Sequence, residues 1–106
     1  MYFLIIANDR PGMEHKRDEL RAQRIAWLKE NQHILLAAGG KVDEQNRHVH
    51  GGLLIVDVED KAEAERFANA DPFVPAGLYK SIEITRWRRV FFNHEQITNT
   101  DPFAPD

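Results

Sequence analysis

The chain has 106 residues, 42% of them apolar, which suffices for one domain with a thin core and leaves no room for a second. Its 14 basic and 17 acidic residues give a formal charge of −3, which argues against a general affinity for nucleic acid or an anionic membrane. The absence of cysteine excludes a disulfide framework and a thiolate metal site, and the first apolar run is too short for a signal or membrane segment, so the cytoplasm is the expected location.

Tyr2 to Ala7 is aromatic and aliphatic at both odd and even positions, the mark of a strand buried on both faces. Asn8-Asp9-Arg10-Pro11-Gly12 reads as a loop with a possible helix cap, whose residues could line a pocket mouth. Helical spacing runs from Met13 to about Asn31, with Met13, Leu20, Trp27 and Leu28 on one side. His33 to Ala38 reads as a short strand ended by Gly39-Gly40. A charged connection follows, and then a strand over His48 to Val58, which a hairpin joins to the one before it. Glu59-Asp60 opens a second helix over Lys61 to Ala70, stopped by Pro72, and Tyr79 to Val90 alternates as a fourth strand. The order β-α-β-β-α-β describes an α+β, ferredoxin-like domain: a four-stranded antiparallel sheet with both helices on one face. Because two helices cover one side only while the first strand is apolar on both, a second copy of the sheet is expected on the open face, giving a homodimer.

The segment Ala70-Asp71-Pro72-Phe73-Val74-Pro75-Ala76-Gly77-Leu78-Tyr79 places one acid in an apolar, turn-forming stretch, so Asp71 is either a turn cap or a working group. On a helix, Arg17, Arg21 and Arg24 cluster around the direction of Leu28. Such guanidiniums either reach for water and carboxylates or form an anion-recognition surface for carboxylate, phenolate or phosphate. His48 and His50 alternate on a strand and are expected on one face, with Gly51-Gly52 opening space beside them. With no clear third ligand they are read as polar strand residues rather than a metal site, and His50 is the better candidate for a pocket acid or base. His15, His33 and His94 read as surface. Trp87 among Arg86, Arg88 and Arg89 reads as an edge strand with solvated charges. No cofactor fingerprint is present, and the polar tail from Asn93 to Asp106 repeats an Asp-Pro-Phe step at Asp101-Pro102-Phe103 that would either dock on a neighbouring subunit or be disordered.

Taken together, the spacing of Arg17, Arg21, Arg24 and Leu28, the Ala38-Gly39-Gly40 turn, the His50-Gly51-Gly52 strand entry and the Asp71-Pro72-Phe73…Ala76-Gly77 segment resemble the YciI-like (YCII-related) family. The likeness runs from Met1 to about Phe92, which sets a domain over residues 1–92 and a tail over 93–106. It implies a dimeric α/β barrel of ferredoxin-like subunits, related in fold to muconolactone isomerases, and a pocket in which a helix histidine and the Asp of the Asp-Pro step form a catalytic dyad. This chain keeps the acid at Asp71 and has Arg24 where the family pattern has histidine. A guanidinium donates hydrogen bonds and stabilises negative charge but does not relay protons, so acid–base work falls to Asp71 or His50. The resulting expectation is a lyase- or isomerase-type enzyme on a small anionic molecule, with Arg17, Arg21 and Arg24 binding substrate and Asp71 and His50 catalytic. The alternatives are a non-catalytic anion-binding or regulatory dimer, and a structural dimer whose Arg24–Asp71 pair fixes a subunit contact.

Overall fold

A computed structural model describes residues 1–97 and contains the expected order of elements. Strand β1 (Tyr2–Asp9) leads to helix α1 (Glu14–Glu30), a short 3-10 turn (Gln32–Ile34) and strand β2 (Leu35–Val42). Strand β3 (His48–Asp57), helix α2 (Lys61–Asn69) and strand β4 (Tyr79–Trp87) complete the unit. The sheet order is β2-β3-β1-β4 with every neighbouring pair antiparallel, the ferredoxin-like arrangement.

Burial alternates along β1. Phe3, Ile5, Ala7 and Asp9 are buried under the helices, while Tyr2, Leu4, Ile6 and Asn8 are half-buried on the other face. The core between sheet and helices joins Phe3, Ile5, Leu54, Val56 and Val58 to Ala64, Phe67 and Ala68 of α2. Helix α2 faces the core with Ala64, Phe67 and Ala68, two of them small. It starts on Asp60, whose carboxylate accepts the Glu63 amide at 2.8 Å, while the Glu63 side chain accepts the Glu59 amide at 3.0 Å. Helix α1 buries no residue completely and docks mainly through Trp27, which stacks on Phe67 at 4.5 Å between ring centroids, and Leu28.

The strand expected from His33 begins at Leu35, because His33 and Ile34 lie in the 3-10 turn, and three larger boundary differences bear on the site. Strand β1 continues through Asn8 and Asp9, with a register shift against β4 between them, so these residues belong to the sheet rather than to the loop. Strand β2 passes through Gly39-Gly40 instead of ending there: Gly39 pairs with Leu53 and Gly40 with Gly52, and a Cβ on Gly52 would lie 2.8 Å from the Gly39 carbonyl oxygen. Gly52 lets the two backbones approach, while Gly39 and Gly40 are ordinary paired strand positions, which local sequence cannot separate from a turn. The reversal falls at Asp43–Arg47, where the Asp43 carboxylate accepts the amides of Gln45 and Arg47 and Asn46 takes a positive φ of 66°. Finally, β4 stops at Trp87, and the chain forms a small hairpin of β5 (Phe91–Phe92) with β6 (Glu95–Gln96), so the expected tail begins inside a paired element. The Asp101-Pro102-Phe103 step lies outside the described residues.

Candidate functional site

Helix α2 ends at Asn69, and the chain then turns tightly: the Asp71 amide donates to the Ala68 carbonyl at 3.2 Å, the Val74 amide to the Asp71 carbonyl at 2.9 Å, and the Leu78 amide to the Phe73 carbonyl at 3.1 Å. Pro72 forbids another helical turn, and Gly77 supplies a φ of 72° before β4 begins. This folding buries Asp71, Phe73 and Leu78, so the acid has to find partners inside the protein.

The two Asp71 oxygens divide their partners. Oδ1 accepts the Phe73 amide at 2.9 Å, the Asx-turn contact of a turn-starting aspartate. Oδ2 accepts the Tyr79 hydroxyl at 2.8 Å, and Arg24 Nε lies 3.2 and 3.3 Å from the two oxygens. Cap and pocket residue are therefore the same residue. Burial raises the Tyr79 phenol well above its ordinary value of 10.0; Arg24 opposes that rise, while Asp71 adds to it by its charge and by accepting the hydroxyl proton.

A second buried acid lies on the neighbouring strand. Asp9 receives a two-point contact from Arg17, with Nε to Oδ2 and Nη2 to Oδ1 both at 2.8 Å, and His48 Nε2 approaches Oδ2 at 3.4 Å. Burial pushes the Asp9 carboxyl up, but the hydrogen bonds and charge of Arg17, helped by His48, outweigh it and hold the group below the usual 3.8. Between the two acid–arginine pairs sits the Phe73 ring, with the Arg17 and Arg24 guanidinium carbons 4.7 and 4.9 Å from its centroid. One ring thus spaces both arginines.

Two spaces result, with Arg24 in the wall of each. An outer cleft of about 180 Å³ is lined by Arg17, Arg21, Arg24, Ile25, His48 and Phe73. The inner cavity, about 10 Å³ and so large enough for roughly one water, has an apolar wall broken by Arg24, Asp71 and Tyr79. Arg24 engages Asp71 through Nε alone, and among the described residues its two Nη groups have no hydrogen-bond partner.

The arginine stripe expected from the helix faces this site, although each member also has a carboxylate: Asp9 for Arg17, Asp18 for Arg21 at 2.6 Å, and Asp71 for Arg24. Of the two outcomes left open for the stripe, pairing with carboxylates is present, and the paired arginines also line the cleft. His50 is placed elsewhere. It takes a positive φ of 51°, its side chain is 55% exposed, and its nearest acid is Glu14 at 3.8 Å; it lines neither the cleft nor the inner cavity. The strand distortion at His50 and Gly51 breaks the alternation that would have given the two histidines a common environment, and His48 is the one in the cleft.

Sequence reasoning did not pick out Asp9, Tyr79 and Phe73 as a working set. Asp9 had a signal: it continues the odd-numbered series Phe3, Ile5, Ala7, so extending β1 by two residues buries it. Tyr79 and Phe73 join Asp71 only through the turn that links α2 to β4.

Comparison with known proteins bears on this arrangement. The family model of the YCII-related domain matches residues 1–88. An uncharacterized protein of Haemophilus influenzae is 34% identical over 98 residues, covering 86% of this chain and 100% of its own length. Protein YciI of Escherichia coli is 30% identical over 98 residues, with the same coverage. Among solved structures, the 5-chloro-2-hydroxyhydroquinone dehydrochlorinase of Burkholderia phenoliruptrix, in complex with 2,5-dihydroxybenzoquinone, has a TM-score of 0.76 and 29% identity, covering 83% of this chain and 94% of that one.

Proposed function

The chain belongs to the YCII-related family, and from that premise we propose that it is a small-molecule enzyme of lyase or isomerase type acting on a planar, oxygen-rich anion bound in the arginine-lined cleft. The observation that carries this reading is Arg24. Its Nε is held by buried Asp71, its Nη donors have no protein partner among the described residues, and it borders both the cleft and the inner cavity. Fixed donors aimed into a partly desolvated space suit an oxyanion that forms or strengthens during reaction. The similarity to a dehydrochlorinase that binds a dihydroxybenzoquinone supports a ring-shaped anionic ligand and an elimination as the reaction class. In this reading Arg17, Arg21 and Arg24 orient the anion, and Asp71 holds Arg24 in place from the inner side.

The test is chloride release from 5-chloro-2-hydroxyhydroquinone together with calorimetric binding of 2,5-dihydroxybenzoquinone. Arg24→Gln should weaken quinone binding by roughly tenfold or more, the worth of one charge-assisted contact. Quinone binding that is indifferent to this substitution would sink the reading.

A second reading, a non-catalytic anion-binding dimer, is favoured by one feature: both Asp71 oxygens are already engaged by the Phe73 amide, Arg24 and Tyr79. A carboxylate so satisfied is a poor base and a good anchor. Tight quinone binding without turnover of any hydroxylated ring would support it. In either reading the partner for the open sheet face is a second copy of the chain. Leu4 and Ile6 stand opposite Ile55 and Leu53 there, all four half-buried.

A further inference from the structure

We propose that His48, positioned by Asp9, is the proton-exchanging residue of the cleft, taking the place that Arg24 cannot fill; this rests on the reading of the cleft as the substrate site. His48 opens β3, lines the cleft with the three arginines, and is 26% exposed, so its ring is partly open to solvent. Its Nε2 has two partners of opposite character. The Asp9 carboxylate lies at 3.4 Å and accepts a proton carried there, whereas the Gly51 amide, at 3.3 Å, donates to the unprotonated nitrogen.

Each neutral tautomer therefore finds a match at Nε2. With the proton on Nε2 facing Asp9, Nδ1 presents a lone pair and acts as a base. With Nε2 accepting from Gly51, Nδ1 carries the proton and acts as an acid. Nδ1 itself has no hydrogen-bond partner among the described residues, and Gly40 beside it carries no side chain: a Cβ there would stand 3.5 Å away, in van der Waals contact with the ring. Arg17 fixes Asp9 by two points, so the carboxylate that orients the ring does not wander. Asp9 is a positioning residue, and His48 is the one that meets substrate.

The step balances without a co-reactant. Nδ1 forms an N–H bond to a substrate hydroxyl or carbon-bound proton, and the electron pair of the broken bond stays on the substrate as phenolate or enolate, facing the arginines. In an isomerisation the same proton returns to another atom of the substrate. In an elimination the leaving group departs as an anion with its bonding pair, and the proton passes to solvent. The charged groups around the ring are Asp9 from β1, Arg17, Arg21 and Arg24 from α1, and Lys41 from β2, whose side chain runs past Gly51 to Asn8.

The experiment measures 2,5-dihydroxybenzoquinone affinity from pH 5.5 to 8.5 for wild type, His48→Gln and Arg24→Gln, with the ligand's own ionisation common to all three. In parallel, ¹⁵N-resolved NMR follows the His48 ring of the unmutated protein. Wild type should bind more tightly at the acid end by about fivefold or more, through attraction between imidazolium and anion. H48Q should lose that extra dependence, while R24Q binds more weakly at every pH and keeps it. Quinone should shift the His48 ring nitrogens, and Asp9→Asn should change their tautomer ratio in the free protein, which a purely structural Asp9 would leave alone. Quinone binding with an unchanged pH profile in H48Q, or with the His48 resonances unmoved, overturns the role of His48 and leaves the cleft reading standing. No quinone binding by the wild type overturns both.

Discussion

Substituting Asp71 with asparagine would keep the shape of the side chain while replacing one acceptor oxygen with an NH₂ group, set among donors from Phe73, Tyr79 and Arg24. Removing one member of a buried pair leaves the other charge without compensation, so D71N should lose about 2–4 kcal/mol of stability, read from urea denaturation. Tyr79→Phe, which removes only the hydroxyl, should cost less, roughly 1–2 kcal/mol. A D71N variant as stable as wild type would mean that the turn does not depend on its acid. The Asp9 site makes a claim about pH. Its folded carboxyl lies below the ordinary 3.8, so its stabilising contribution is complete above that value and is lost as pH falls through the lower folded one. D9N should therefore be less stable than wild type at pH 7, with a gap that narrows below about pH 4. Denaturation midpoints at pH 7, 4 and 3 decide it, and a constant gap would contradict the linkage. Sequence alone identified Asp71 as an acid needing a reason and offered cap and working group as rivals. The structure contains the cap, with Oδ1 accepting the turn amide, and sets Oδ2 against Tyr79 in the wall of the inner cavity.

The elements place the site through irregularities rather than through their regular parts. A Cβ on Gly51 would sit 2.2 Å from the Ala7 carbonyl oxygen and 2.7 Å from Lys41 Cε, and its φ is 151°. Gly51→Ala should consequently force β1 and β3 apart, lowering the melting temperature by several degrees, roughly 2 kcal/mol or more, and moving His48 off Asp9. A thermal melt combined with the NMR of the His48 ring checks both effects, and an unchanged melt would show that the strands can part freely there. Strand and helix identities were legible from period and punctuation: alternation in β4, the acid-capped start of α2, and the stop before Pro72. The Gly39-Gly40 and Asn8-Asp9 positions were not. Glycine permits both a turn and a close strand approach, and only the facing strand decides between them.

The whole molecule turns one face of its sheet away from the helices. Leu4, Ile6, Leu53 and Ile55 form its apolar middle, and Tyr2 meets Trp87 edge-on at 6.3 Å at one end. If a second copy covers this face, Ile6→Glu should yield a monomer with the fold retained, whereas wild type sediments as a dimer at micromolar concentration. A wild-type mass equal to one chain at all concentrations would refute the dimer. Among the described residues no helix is long and apolar enough to cross a membrane.

The sequence by itself determined the layered architecture, the helix stripe that presents Arg17, Arg21 and Arg24, and the family to which the chain belongs, because these depend on residue spacing within single elements. Only the tertiary structure decided which carboxylates Arg17 and Arg24 meet, that His48 rather than His50 shares the cleft, and that Tyr79 and Phe73 complete the surroundings of Asp71. The Arg17–Asp9 and Arg24–Asp71 pairs join residues 8 and 47 positions apart. They are fixed by a register shift in β1, two glycines and a turn whose geometry exists only once sheet and helices have packed together.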